Sequence, residues 1–126
     1  MGVELIAELH RAAEENIRGY HSATQRCVQI ETMLADAHDF GFPNDPLVLY
    51  LFNPLPERAV SEVLQGLEWS LAQALRPVWI VYHNPLLETS LGASAFLEKA
   101  GGTSQYSVYR TTRGANASTV WAQIQT

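Results

Sequence analysis

Residues 47–56 read LVLYLFNPLP, and the way this run is built decides the fold. Six consecutive apolar residues, 47–52, show no alternation between polar and apolar positions. A run of that length, too short for a typical helix, is expected of a central strand in a parallel sheet, where helices cover both faces. It stops at Asn53-Pro54. Pro54 removes a backbone donor and holds Asn53 extended, so the pair either ends a strand or fixes the Asn53 amide at a strand tip.

The flanking segments carry the helical period. Val60, Val63, Leu64, Leu67, Leu71, Ala74 and Leu75 form one stripe, which predicts a helix over 57–75, stopped by Pro77. VWIVY (78–82) is a second fully apolar strand, and it too ends in an Asn-Pro pair, Asn84-Pro85. Upstream, Ile6, Leu9, Ala13, Ile17 and Tyr20 predict an amphipathic helix over 5–19. Residues 26–31 are a β-prone run with Val28 and Ile30 on one face. Downstream, a helix over 88–99 closed by Gly101-Gly102 is expected. Two β-prone runs follow, 105–109 and 119–124, separated by TTRGANAS. They lie too close together for a helical crossover, so an antiparallel edge hairpin is expected.

Alternating helices and strands with short connections indicate an α/β fold with a mostly parallel sheet. The 126 residues contain no linker or low-complexity tract, so a single domain is expected over 1–126. At 47% hydrophobic and 17% charged residues the chain is globular. A net charge of −5 with no Lys/Arg cluster disfavours a nucleic-acid partner. No run approaches the ~18 apolar residues of a membrane span and no signal peptide is visible, so the expected location is the cytoplasm. The only cysteine, Cys27, has an apolar neighbourhood that predicts a buried thiol.

Ligands of open α/β sheets bind beyond the carboxyl ends of the strands. That rule selects Glu4, the Asp36-Ala37-His38-Asp39 stretch, Asn53-Pro54 and His83-Asn84. A carboxylate at Glu4 either accepts hydrogen bonds from ribose hydroxyls or favours the following helix N-terminus. Asp36 is a candidate of the same kind or a turn aspartate. His83, at a strand tip with Asn84, is a substrate-side candidate, and His10 is expected at the surface or half-buried. The four histidines show no metal-ligand spacing, so no metal site is expected. G-x-S-x-G, HExxH and P-loop patterns are all absent.

In order and spacing, these segments resemble the later part of a class I S-adenosylmethionine-dependent methyltransferase. GVELIAELHRAAEENI resembles that family's second strand, ribose-binding acid and following helix. ADAHDFGFP resembles the segment beside the adenine, and LVLYLFNPLP the fourth strand with the motif bordering the transferred methyl. The resemblance covers essentially the whole chain and implies a Rossmann-like fold with S-adenosylmethionine as cofactor. It assigns Glu4 to the ribose, Asp36 and Ala37 to the adenine pocket, and Asn53 with Pro54 to the sulfonium methyl. Amine methyltransferases often carry Asn-Pro-Pro-aromatic at this last place, whereas this chain reads Asn53-Pro54-Leu55-Pro56. A residue that would stack on a nucleobase is therefore missing, and the acceptor is left as a small molecule or one of unknown kind.

The family's first strand and its Gly-rich loop should precede Glu4, and no such turn exists in these 126 residues. In the family that strand lies between the second and the fourth. Without it, two strand edges would leave buried backbone groups unpaired at ~1–3 kcal/mol each. The expectation is therefore an incomplete, N-terminally truncated methyltransferase fold, or one completed by a partner chain or by self-association. Two other readings remain open. One is an inactive remnant or interaction protein on this fold; the other is an NAD-dependent dehydrogenase in which Glu4 holds the nicotinamide cofactor's ribose.

Overall fold

In a computed structural model, residues 1–36, 39–52 and 56–112 are described. The chain falls into two compact units, Met1–Phe40 and Gly41–Thr126, and each is described by itself.

The first unit is a strand–helix–strand turn of chain: β1 (Gly2–Glu4), α1 (Ala7–Gly19) and β2 (Thr32–Leu34). β1 and β2 pair in parallel, Gly2 with Thr32 through Glu4 with Leu34. The helix forms where its period predicts, but none of its residues is buried, and Ile6, Leu9 and Tyr20 lie exposed. His10 is half-buried, with Nδ1 3.4 Å from Thr32 Oγ1 and Nε2 3.5 Å from Glu14. Two expectations fail in this unit. Residues 26–31 form no strand, because the pairing partner of β1 is the next segment, Thr32–Leu34. Cys27 belongs to that irregular stretch and is exposed, not buried.

The second unit holds β3 (Leu47–Phe52), α2 (Glu57–Gln73), β4 (Val78–His83), α3 (Glu88–Gly92), β5 (Leu97–Gly102) and β6 (Tyr106–Thr111). Its sheet has the order β3–β4–β6–β5. β3 and β4 are parallel, whereas β6 runs antiparallel to both β4 and β5. The fold is thus α/β, with a small parallel sheet in one unit and a mixed sheet in the other.

The core of this unit lies on one face of the sheet. Leu51, Val78, Ile80, Tyr82, Leu97 and Tyr109 are buried there, together with the α2 stripe of Val60, Val63, Leu64, Leu67 and Leu71. The opposite face is open. Val48 is 71% exposed, Tyr50 59% and Phe52 52%, and Trp79, Val81 and Val108 are half-covered. Among the described residues of this unit, the apolar run 47–52 is therefore covered by a helix on one side only, where helices on both faces were expected. Among the described residues β3 is paired on one side, to β4.

Downstream, the helix expected over 88–99 ends at Gly92, and residues 97–102 are a strand. Phe96 and Leu97 are buried, and pairing with β6 decides the conformation against the helix-prone Ala-Phe-Leu-Glu-Lys composition. The antiparallel hairpin is consequently β5–β6, not 105–109 with 119–124. Both sides of β6 are taken, and 119–124 lies outside the described residues. Gly102 enters the hairpin turn at φ +154°, where an added Cβ would stand 2.6 Å from the Tyr106 carbonyl oxygen. Gly102→Ala should destabilise the unit by more than about 1 kcal/mol, measured by urea denaturation.

α2 ends at Gln73, two residues before the expected stop, against a buried arginine. Arg76 Nε donates to the Asp45 carbonyl at 3.0 Å, and Nη1 donates to the carbonyls of Ser70 (3.2 Å) and Ala74 (2.8 Å). Nη2 donates to the Pro43 carbonyl and to Ser70 Oγ at 2.9 Å. The guanidinium thereby satisfies the C-terminal carbonyls that a helix end leaves without partners. Burial lowers its pKa from the usual arginine value, while the nearby Asp45 carboxylate opposes that shift.

Candidate functional site at the strand carboxyl ends

In the first unit the carboxyl ends of β1 and β2 lie side by side. Ala35 N donates to the Glu4 carbonyl at 3.0 Å, continuing the pairing to the residue before Asp36. Glu4 and Asp36 are thus brought to the same end of one parallel pair. Glu4 Oε1 accepts from the Ile6 backbone N–H at 3.0 Å, at the start of α1. Part of the carboxylate's capacity goes to the helix N-terminus, but an ionised carboxylate has acceptor sites for further donors. The Asp36 carbonyl accepts from Asp39 N at 3.0 Å. Ala37 lies outside the described residues, as do Asn53 and Pro54.

The second unit brings together residues that the linear pattern does not connect. β3 pairs with β4 so that Phe52 stands opposite His83, and β4 pairs with β6 so that His83 stands opposite Tyr106. Directly opposite residues point to the same face, so Phe52, His83 and Tyr106 form one row at the carboxyl ends of the parallel pair. His83 Nδ1 lies 2.8 Å from the Tyr50 hydroxyl. Its ring meets Phe52 edge-on at 5.1 Å and Tyr50 at 6.3 Å between centroids.

Asn84 follows at φ 52°, the one positive value found among the described non-glycine residues. Its N–H donates to the Gln105 carbonyl at 2.7 Å, and its own carbonyl accepts from Leu86 N at 2.9 Å. A left-handed residue before a proline is a strained link, tolerated best by Asn or Gly, and it fixes the turn that leaves β4.

A second polar cluster escaped the sequence reading. Glu88 Oε1, at the start of α3, accepts from Lys99 Nζ (2.6 Å), Ser107 Oγ (2.8 Å) and the Tyr109 hydroxyl (2.8 Å). Its donors lie 11, 19 and 21 residues away, so no local motif announces them. These hydrogen bonds, led by Lys99, hold the Glu88 carboxyl down to about 2, while burial and the bond to Glu88 push Tyr109 up to about 12.

The signs of the two shifts differ. Glu88 is depressed in the folded chain, so its contribution is present above the ordinary carboxylate value of 4.5 and is lost as pH falls toward 2. Tyr109 is raised, so its contribution holds below 10 and is lost as pH rises through 12. Glu88→Gln should flatten the acid limb of the stability–pH curve and only reduce the alkaline one, which burial of Tyr109 leads, as read by denaturation at pH 3, 7 and 11. Three side chains converge on Glu88 Oε1, which makes the cluster a clamp joining α3 to β5 and β6.

Among the described residues no group of three His, Cys, Asp or Glu side chains is placed to hold a metal, and no helix is long and apolar enough to cross a membrane. A cavity of about 360 Å³ lies between α2 and the segment after α3, over Leu64 and Phe96 with Ser61, Gln65, Ser90 and Ser94 at its walls. It includes none of the residues selected from the sequence. Comparison with protein-family models, curated proteins and solved structures finds no match.

Proposed function

We propose that this chain carries part of an S-adenosylmethionine-dependent methyltransferase site, with a small-molecule acceptor. The observation that supports it most is the sheet of the second unit. Two parallel strands joined by a helix are followed by a strand that runs backwards between β4 and β5. An antiparallel C-terminal edge on a parallel sheet is the arrangement that the resemblance implies. The first unit adds a parallel pair with Glu4 and Asp36 at one end, where open α/β sheets bind ligands.

The donor set fits one half of the cofactor. Glu4 is suited to the ribose hydroxyls and Asp36 to the adenine side, and the family resemblance puts Asn53 and Pro54 beside the methyl. The methionine half is different, since the Gly-rich turn that would wrap it is absent from these 126 residues. When bound, the cofactor would supply the electrophilic methyl; this chain's part is to hold and orient. Glu4→Ala should weaken binding of S-adenosylhomocysteine by about tenfold or more, because a charge-assisted pair of hydrogen bonds is lost.

A second reading is favoured by one observation, the exposure of Val48, Tyr50 and Phe52. It is an inactive remnant or interaction protein on a methyltransferase-like fold. A further strand, from a partner chain or from a second copy, would extend the sheet beside β3 in either reading. Unchanged S-adenosylhomocysteine affinity in Glu4→Ala, or none at all, would favour the second.

A further inference from the structure

We infer that the row Phe52–His83–Tyr106, with Tyr50 behind it, is a binding site for a planar aromatic hydroxyl compound of the phenol or catechol class. The inference deepens the methyltransferase reading by naming the acceptor, and it rests on that reading only for the reaction that follows binding.

Five observations lead there. Three ring-bearing residues occupy one transverse row, and with neighbouring strands ~4.8 Å apart the outer two stand roughly 10 Å from each other across His83. Phe52 and Tyr106 are both exposed, so their rings are available to a flat apolar body. The Tyr50 hydroxyl engages His83 Nδ1 at 2.8 Å. Nδ1 is thereby engaged, and Nε2 is left to accept from or donate to one ligand partner, according to which ring nitrogen carries the proton; a phenolic hydroxyl answers either.

The charge pattern then selects a neutral ligand. The two rows nearest the carboxyl end, Phe52–His83–Tyr106 and Tyr50–Val81–Val108, contain no Asp, Glu, Lys or Arg. The first charges on this face, Arg110 and Glu98, pair with each other at 2.6 Å one row further away, with Arg110 also 5.8 Å over the Trp79 ring. Finally, the left-handed Asn84 directly after His83 is the kind of backbone strain that gathers at ligand sites. Tyr50 is a positioning residue here, because it acts through His83.

The test is an NMR titration of the full chain with catechol, observing the ring nitrogens of His83, with 1,2-dimethoxybenzene as the probe that keeps the ring and lacks the hydroxyls. Expected are a saturable shift at His83 Nε2 with catechol and an affinity at least tenfold lower for the ether. His83→Gln should weaken catechol binding tenfold or more while the far-ultraviolet circular dichroism stays unchanged. Tyr50→Phe should shift the His83 Nδ1 resonance, because the hydrogen bond that engages this nitrogen is lost. Absence of a saturable shift, equal affinity for the ether, or undiminished binding by a folded His83→Gln chain would overturn the assignment. The readout needs no cofactor, so its failure is distinct from a failure to bind S-adenosylhomocysteine.

Discussion

Replacing Arg76 with methionine should lower the unfolding free energy of the second unit by about 3 kcal/mol, the cost of leaving two or more buried acceptors without donors. Only 6% of this residue is exposed, and its guanidinium donates to four backbone carbonyls and one hydroxyl from two stretches of chain. Methionine keeps much of the apolar stem, so the loss reads the hydrogen bonds and not the packing. Arg76→Lys should fall between the two, since a single ammonium cannot reproduce the planar fork that reaches Pro43, Asp45 and the end of α2 together. Urea denaturation followed by circular dichroism checks both. A loss below about 1 kcal/mol in the methionine variant would mean that water replaces the guanidinium at these carbonyls.

Leu67→Ala should cost about 3 kcal/mol, within the usual range for emptying a fully buried leucine site. Leu67 is completely buried in the middle of α2, next to the equally buried Val60 stripe. Leu75 belongs to the same stripe by sequence period, yet it lies past the end of α2 and is 55% exposed. Leu75→Ala should therefore change stability by less than about 0.5 kcal/mol. In a unit of this size the first variant should melt roughly 10–20 °C lower and the second within a few degrees of the parent. Equal losses would mean that α2 continues and that Leu75 packs.

The contrast between these two leucines shows what the sequence could reveal. Periodicity identified α1 and α2, and unbroken apolar runs identified β3 and β4, because each has enough residues for its pattern to stand out. It could not place the end of α2, which is set by Arg76 reaching carbonyls 31 and 33 residues away. Residues 97–102 were misread for a related reason. Their composition suits a helix, and only the neighbouring β6 makes them a strand.

Exposure of the outer face of β3 was equally hidden, since LVLYLF has no polar residue to mark the open side. For the candidate site, strand ends gave Glu4, Asp36 and His83 by topology. The Tyr50–His83 bond depends on strand register across 33 residues, and the Glu88 cluster on the β5–β6 hairpin. Neither has a local signature.

Isothermal titration of S-adenosylhomocysteine reads cofactor binding itself. The protein used should carry any residues encoded in frame ahead of Met1, with NAD as the competing ligand and Glu4→Ala as the control. The methyltransferase account predicts saturable one-to-one binding that is tighter than that of NAD and at least tenfold weaker in Glu4→Ala. No binding heat, or tighter binding of NAD, would contradict it.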